Sequence, residues 1–184
     1  MFVHAYVDES YDLTIGVYIL TASIVDLDDA EEIRCALREL HTGNGKLHWH
    51  KSNPEHRRRF SKCLSTLPVR HLIVIGRGRL MSSERARRKC MEALLPSLED
   101  MGVNIVMFEA RQRVNDRHDI NMVDACRRRK LISRLSVIFA PRDHELLLWL
   151  PDVACGTVLA AERGEASYLE QLGDSTQLAG IEIR

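Results

Sequence analysis

The hydrophobic pattern along the chain predicts strands that alternate with helices. Strands are expected where β-branched and aromatic residues are dense, at residues 2–8, 14–25, 69–78, 103–109 and 144–150. Between most of these stretches, apolar residues recur at helical spacing, as Ile33, Leu37 and Leu40 do in the first predicted helix. This order predicts an α/β fold in which helices cover a central mixed sheet.

The length and the composition favour one domain. Neither a Pro/Gly/Ser-rich linker nor an internal repeat divides the 184 residues, of which 45% are hydrophobic, enough for one sizeable core. We expect a single domain over residues 1–173, followed by a C-terminal tail at 174–184. For that tail an edge strand, a partner-binding arm and a disordered segment all remain open.

Charge and cysteine content narrow the class of protein. Twenty-six basic residues balance 26 acidic ones, so no global field marks the chain as a binder of nucleic acid or membranes. Five cysteines without a CxxC pair predict reduced thiols in a cytoplasmic protein. No apolar run approaches the roughly 20 residues that a membrane span needs, so we expect no membrane partner. A homo-oligomer is possible.

Three acids stand where α/β sheets place their functional sites. Asp8 ends the first predicted strand, Glu109 ends the fourth, and Asp152 begins the helix after the fifth. Sites of open α/β sheets lie at the carboxyl ends of strands, so these carboxylates converge if the strands are neighbours. Converging carboxylates favour Mg²⁺ or Mn²⁺. The structural alternative for each acid is a turn cap, a charge that complements a helix dipole, or a rim charge.

Glu9 directly follows Asp8, which raises the question of which acid faces the site. Side chains alternate along a strand, so a regular strand directs only one of the two towards it. We assign Asp8 to the site.

Basic residues and histidines concentrate at residues 41–59, around Trp49. His48 is a candidate for a phosphate contact or for a proton donor to a leaving group. Further basic runs occur at 84–89, 111–118 and 126–130. Such runs contact phosphates in nucleic-acid-binding proteins, although many are simply solvated helix faces.

Three short motifs resemble a large bacterial family of domains of unknown function. "YVDES" at 6–10 is similar to the family's opening strand, which reads D-E-S-G, and "WLPDVACGTV" at 149–158 resembles its closing A-D-x-x-A-G motif. "NIVMFE" resembles its middle strand, which usually ends in Asp. The chain departs from the pattern at Tyr11 in place of Gly, at Glu109 in place of Asp, and at Pro151 in place of a small residue.

The family is placed in the ribonuclease H-like superfamily, so the resemblance implies a mixed five-stranded sheet flanked by helices. It also implies a metal-dependent nuclease that hydrolyses RNA or DNA, in which Asp8, Glu109 and Asp152 hold Mg²⁺ or Mn²⁺. Lys46 and Lys51 are then candidates for phosphate contact. The departures at Tyr11 and Glu109 favour an alternative, a catalytically degraded module that binds nucleic acid or protein. A structural or oligomerising α/β protein is the third possibility.

Overall fold

The computed structural model describes residues 2–40, 47–141 and 144–183. Within these ranges a six-stranded sheet has the order β5-β4-β1-β2-β3-β6. The strands are β1 (Val3–Asp12), β2 (Val17–Asp26), β3 (Val69–Arg77), β4 (Ile105–Glu109), β5 (Ser136–Ala140) and β6 (Thr176–Glu182). The helices are α1 (Ala30–Leu40), α2 (Pro54–Leu64), α3 (Ser83–Asp100), α4 (Arg113–Arg128), α5 (Trp149–Glu162) and α6 (Ser167–Leu172).

The sheet is mixed, and its register brings two of the predicted acids to one edge. β2 runs antiparallel to β1 and β3, whereas β4 runs parallel to β1, with Val7 opposite Phe108. β5 and β6 extend the two sides as parallel partners of β4 and β3. Since Asp8 follows Val7 and Glu109 follows Phe108, the two acids lie at the same level of neighbouring parallel strands. Glu109 ends β4, but the predicted end of the first strand at Asp8 is wrong, because β1 continues along β2 to Asp12.

Hydrophobic cores lie on both faces of the sheet. One core packs the sheet against α1, α2, α5 and α6, and the other packs it against α3 and α4. On β1, Tyr6 belongs to the first core, whereas Ala5 and Val7 belong to the second. The same alternation directs Asp8 towards α5 and Glu9 towards α3.

The α/β class and the mixed sheet flanked by helices are confirmed, but the sheet has six strands instead of five. The strand predicted at residues 144–150 is wrong, because Leu146–Leu148 form a 3₁₀ turn and α5 begins at Trp149. A continuous apolar run fits a buried helix as well as a strand. Pro151 lies in the first turn of α5, where its missing N–H breaks no intrahelical hydrogen bond. β5 supplies the fifth strand.

The segment after Gly173 forms an edge strand, one of the three possibilities that the sequence left open. Residues 176–182 form β6, an edge strand that pairs with β3 along seven residues from His71 to Arg77. Among the helices in the described ranges, none combines the length and the hydrophobicity that a bilayer crossing requires.

Candidate active site

A cavity of about 260 Å³ opens at the carboxyl ends of β1 and β4. Its charged and titratable lining consists of Asp8, Glu9, Tyr11, His50, Glu109, Arg111 and Asp152. The three acids singled out in the sequence therefore line one cavity, although each belongs to a different element: β1, β4 and the first turn of α5.

Asp8 belongs to β1, and its side chain is directed towards α5. Asp8 is 7% exposed, and its Oδ1 accepts a hydrogen bond of 2.8 Å from the backbone N–H of Glu9. On α5, the Cys155 thiol donates to the backbone carbonyl of Asp8 at 3.3 Å. Burial, and then the negative charge of Asp8, hold the pKa of Cys155 well above its usual value. The thiol thus stays protonated and cannot serve as a nucleophile near neutral pH.

Asp152 fixes the position of the segment that contains Trp49. Its Oδ2 accepts a hydrogen bond of 3.0 Å from the backbone N–H of Trp49. One helical turn further on, a Cβ at Gly156 would lie only 2.1 Å from Cγ of Trp49. Only glycine therefore allows the indole to lie flat against α5. The ring also meets Tyr168 of α6 edge-on, with centroids 5.2 Å apart.

Arg57 of α2 holds the same segment from the other side. Its Nε donates to the carbonyl of Trp49 at 3.1 Å, and its Nη2 donates to the carbonyl of His50 at 3.3 Å. The guanidinium also lies 5.3 Å from the centroid of the Trp49 ring, within range of a cation–π contact. Arg57 belongs to the basic run at 41–59, but its contacts with Trp49 and His50 give it a structural role, because they hold the segment from which His50 faces the cavity.

The predicted substrate contacts have different outcomes. Lys46 lies outside the described residues. His48 and Lys51 are not in the cavity lining, whereas His50 is. Trp49–Lys51 form a 3₁₀ turn, so the side chains do not alternate as they would in a strand. The short distance from Trp49 to the helix cap at Asn53 is the sequence signal that could have indicated a turn.

Glu9 points to the α3 face of β1 and still lines the cavity, which opens beside β1 where β4 has ended at Glu109. Its Oε2 accepts a hydrogen bond of 2.6 Å from Nη1 of Arg87. Arg87 also binds both carboxylate oxygens of Asp119 at 2.9–3.0 Å. The side chains of Arg87 and Asp119 are each only 1% exposed. Although burial acts to lower it, the charge of Glu9 and the contacts with Asp119 raise the pKa of Arg87 well above its usual value.

Arg111 follows β4 and supplies a cation to the lining. Its Nη2 donates to Oδ1 of Asp119 at 3.0 Å, and its Nη1 donates to Oε1 of Glu84 at 2.7 Å. Burial acts to lower the pKa of Arg111, but the hydrogen bond with Glu84 contributes to a net increase, so the side chain remains charged. The sequence signal was its place two residues after Glu109, beyond the carboxyl end of a strand.

The donor set of the cavity suits a hard divalent cation. Its described lining holds four carboxylates and one arginine, and carboxylate oxygen is the ligand that Mg²⁺ and Mn²⁺ prefer. Within the described ranges, however, no group of three or more His, Cys, Asp or Glu residues is arranged to hold a metal ion. Mg²⁺ is commonly bound by only one or two carboxylates together with substrate phosphates. The residues therefore fit the ion in their chemistry without forming a complete protein cage.

Comparison with known proteins supports the fold. No family model matches the sequence, and the search of curated proteins finds no match. Among solved structures, the chain resembles one chain of the PCNA:RNase HII complex from Archaeoglobus fulgidus, with a TM-score of 0.51 and 12% identity. The similarity covers 93% of this chain and 77% of the other. The fold is ribonuclease H-like. Membership of the bacterial family remains a prediction, as does the assignment of the motif at residues 6–10 to that family.

Proposed function

We propose that the protein is a divalent-metal-dependent nuclease that hydrolyses phosphodiester bonds of RNA or DNA. The observation that carries this proposal is the common cavity of Asp8, Glu109 and Asp152 at the carboxyl edge of a ribonuclease H-like sheet. An anionic cavity of this kind repels a phosphodiester unless a cation is present, which supports a role for metal.

We assign Asp8, Glu109 and Asp152 as the residues that hold Mg²⁺ or Mn²⁺. A divalent cation supplies Lewis acidity and lowers the pKa of water, which is the chemistry that phosphodiester hydrolysis needs. The hydrogen bond from Trp49 uses one of the about four lone-pair sites that a carboxylate offers. The same bond keeps the carboxylate oriented.

Other residues of the lining have roles that follow from their chemistry. Arg111 carries a permanent charge and a planar donor fork, which suits a nonbridging phosphate oxygen. His50 can donate a proton to the leaving oxygen, a role that histidines often have in catalysis. Tyr11 also lines the cavity; its ring stacks on that of Tyr18 with centroids 5.5 Å apart, and the residue is 49% exposed, so the ring offers a second face on which a base can stack.

The test is a cleavage assay on single-stranded RNA, single-stranded DNA, both duplexes and the hybrid, each with Mg²⁺, Mn²⁺ or EDTA. Wild-type protein should cleave at least one substrate only when metal is present. Asp8→Asn and Asp152→Asn should each lower the rate at least about 100-fold. The matched control is Asp12→Asn, since Asp12 belongs to the same strand but pairs with Arg163 instead of lining the cavity. Absence of cleavage on every substrate would refute the proposal.

One observation favours a second candidate, a binding module with a degraded metal site. It is the lack, within the described part of the chain, of a three-residue group that could hold a metal. A module of this kind predicts no gain in melting temperature on addition of Mn²⁺. It also predicts oligonucleotide binding that Asp8→Asn leaves unchanged. The nuclease predicts the opposite result in the melting experiment.

A further inference from the structure

Two basic runs that are far apart in the sequence meet across one groove. The run at 84–89 lies in the first turns of α3, and the run at 126–130 lies at the end of α4. Arg85, Arg88 and Lys89 of the first run and Arg129 of the second line the same depression. These four cations account for most of the charge there.

The orientation of α3 separates a structural arginine from the others. Arg87 points inward to the buried Asp119, whereas Arg85, Arg88 and Lys89 are exposed on the outer face of the helix. Their spacing of three and four residues places them in one stripe along α3. Such a stripe presents successive cations to a linear ligand.

The groove between α3 and α4 consists of two adjoining cavities of about 430 and 370 Å³. Both are lined by Arg88, Met122 and Ala125, so they form one continuous depression. Its lining therefore combines apolar side chains with cations. We call this depression the α3–α4 groove.

One end of the α3–α4 groove adjoins the candidate active site. Glu84 lines the groove, and its carboxylate binds Arg111, which lines the cavity of Asp8 and Asp152. A single side-chain pair thus separates the two depressions. A chain bound along the groove therefore ends next to the cavity that contains the carboxylates.

We propose that the α3–α4 groove binds the sugar-phosphate backbone of one nucleic-acid strand and directs it into the cavity. This inference rests on the proposed nuclease function and names its substrate track. Two acids, Glu84 and Glu92, oppose the four cations. Glu92 forms exposed ion pairs with Lys89, at 3.0 Å, and with Arg129. Exposed ion pairs contribute little stability, so phosphates can replace Glu92 as the partner of Lys89 and Arg129.

The experiment measures how salt affects binding. The 184-residue chain with Asp8→Asn and Asp152→Asn is titrated with a labelled 20-nucleotide single strand, as RNA and as DNA, at five NaCl concentrations. Contacts of three to four phosphates predict that log K falls with log[NaCl] with a slope of about −2 to −3. Arg88→Ala with Lys89→Ala should make the slope shallower by about 1.4, since each lost phosphate contact removes about 0.7.

A matched control removes the same charge elsewhere. Arg58 and Arg59 are exposed on α2, and their double alanine variant should leave the slope within about 0.3 of the parent. Glu92→Gln changes binding in the opposite direction, because it releases Lys89 and Arg129 for phosphate; we expect a several-fold increase in affinity. Equal slope changes in the groove and control variants would overturn the inference, as would equal affinity for poly-glutamate of the same charge.

The inference and the proposed function can fail separately. Metal-dependent cleavage by the wild-type protein, together with a slope that the groove variant does not change, would refute the groove alone. A slope that depends on Arg88 and Lys89, without any cleavage, would support the groove and refute the nuclease.

Discussion

Replacement of Arg87 by methionine should destabilise the fold more than any surface change nearby. Arg87 is 1% exposed, and its guanidinium makes three contacts with Asp119 and one with Glu9. Its removal leaves the carboxylate of Asp119, also 1% exposed, with only Arg111 as a charged partner in the described structure. Breaking a buried ion pair by removing one partner costs about 3–5 kcal/mol, because the other charge remains desolvated.

Urea denaturation measures this loss of stability. With a slope of about 2 kcal/mol per molar urea, the loss shifts the midpoint of unfolding down by about 1.5–2.5 M. Arg88→Met is the control, because Arg88 is exposed, and it should change the free energy of unfolding by less than about 0.5 kcal/mol. The double variant Arg87→Met/Asp119→Leu replaces both charges by apolar groups and should be more stable than Arg87→Met alone. A loss below about 1 kcal/mol for Arg87→Met, or a double variant that loses the sum of both single changes, would refute the reasoning.

The other predictions concern the Trp49 contact and pH. Gly156→Ala places a methyl group where Cγ of Trp49 lies, so calorimetry should show a loss of about 1–3 kcal/mol, whereas Gly180→Ala on the edge strand is the near-neutral control. Burial of His71 lowers its pKa to about 4, below the 6.5 of an unfolded histidine, so the unfolded state binds the proton more readily. The free energy of unfolding should therefore fall by up to about 3 kcal/mol from pH 6.5 to pH 4, and His71→Leu should lack that part of the decrease.

The acids of the cavity could be located from the sequence because local rules fix their positions. Glu109 ends β4, and Asp8 lies at the same level of the parallel neighbour β1, although β1 itself continues to Asp12. The prediction for Asp152 rested partly on a strand that the structure does not contain. The strand expected before it is a 3₁₀ turn and the first turn of α5, but the acid lies in the first turn of a helix in either case.

Long-range contacts could not be predicted from the sequence. Helical spacing places Arg87 on the same face of α3 as Cys90, Met91 and Leu94, but the sequence does not identify its partner, Asp119, 32 residues away. Likewise, His50 rather than His48 lines the cavity because Trp49 is held by Asp152, 103 residues away. These contacts depend on which helices and turns pack against each other, and the sequence alone does not specify that packing.

The edge strand β6 has a consequence for handling the protein in solution. Its outer row of backbone N–H and C=O groups has no neighbouring strand in the described sheet, and Leu178 is 50% exposed. Between Thr176 and Glu182 the final glutamate is the only charge, whereas many natural sheets protect such edges with lysine, proline or a bulge. β6 is therefore, with β5 at the opposite edge, one of the two strands at which aggregation at high concentration is expected to begin, and it lies three strands away from β1 and its carboxylates. Solubility can then be engineered on this strand without altering the cavity.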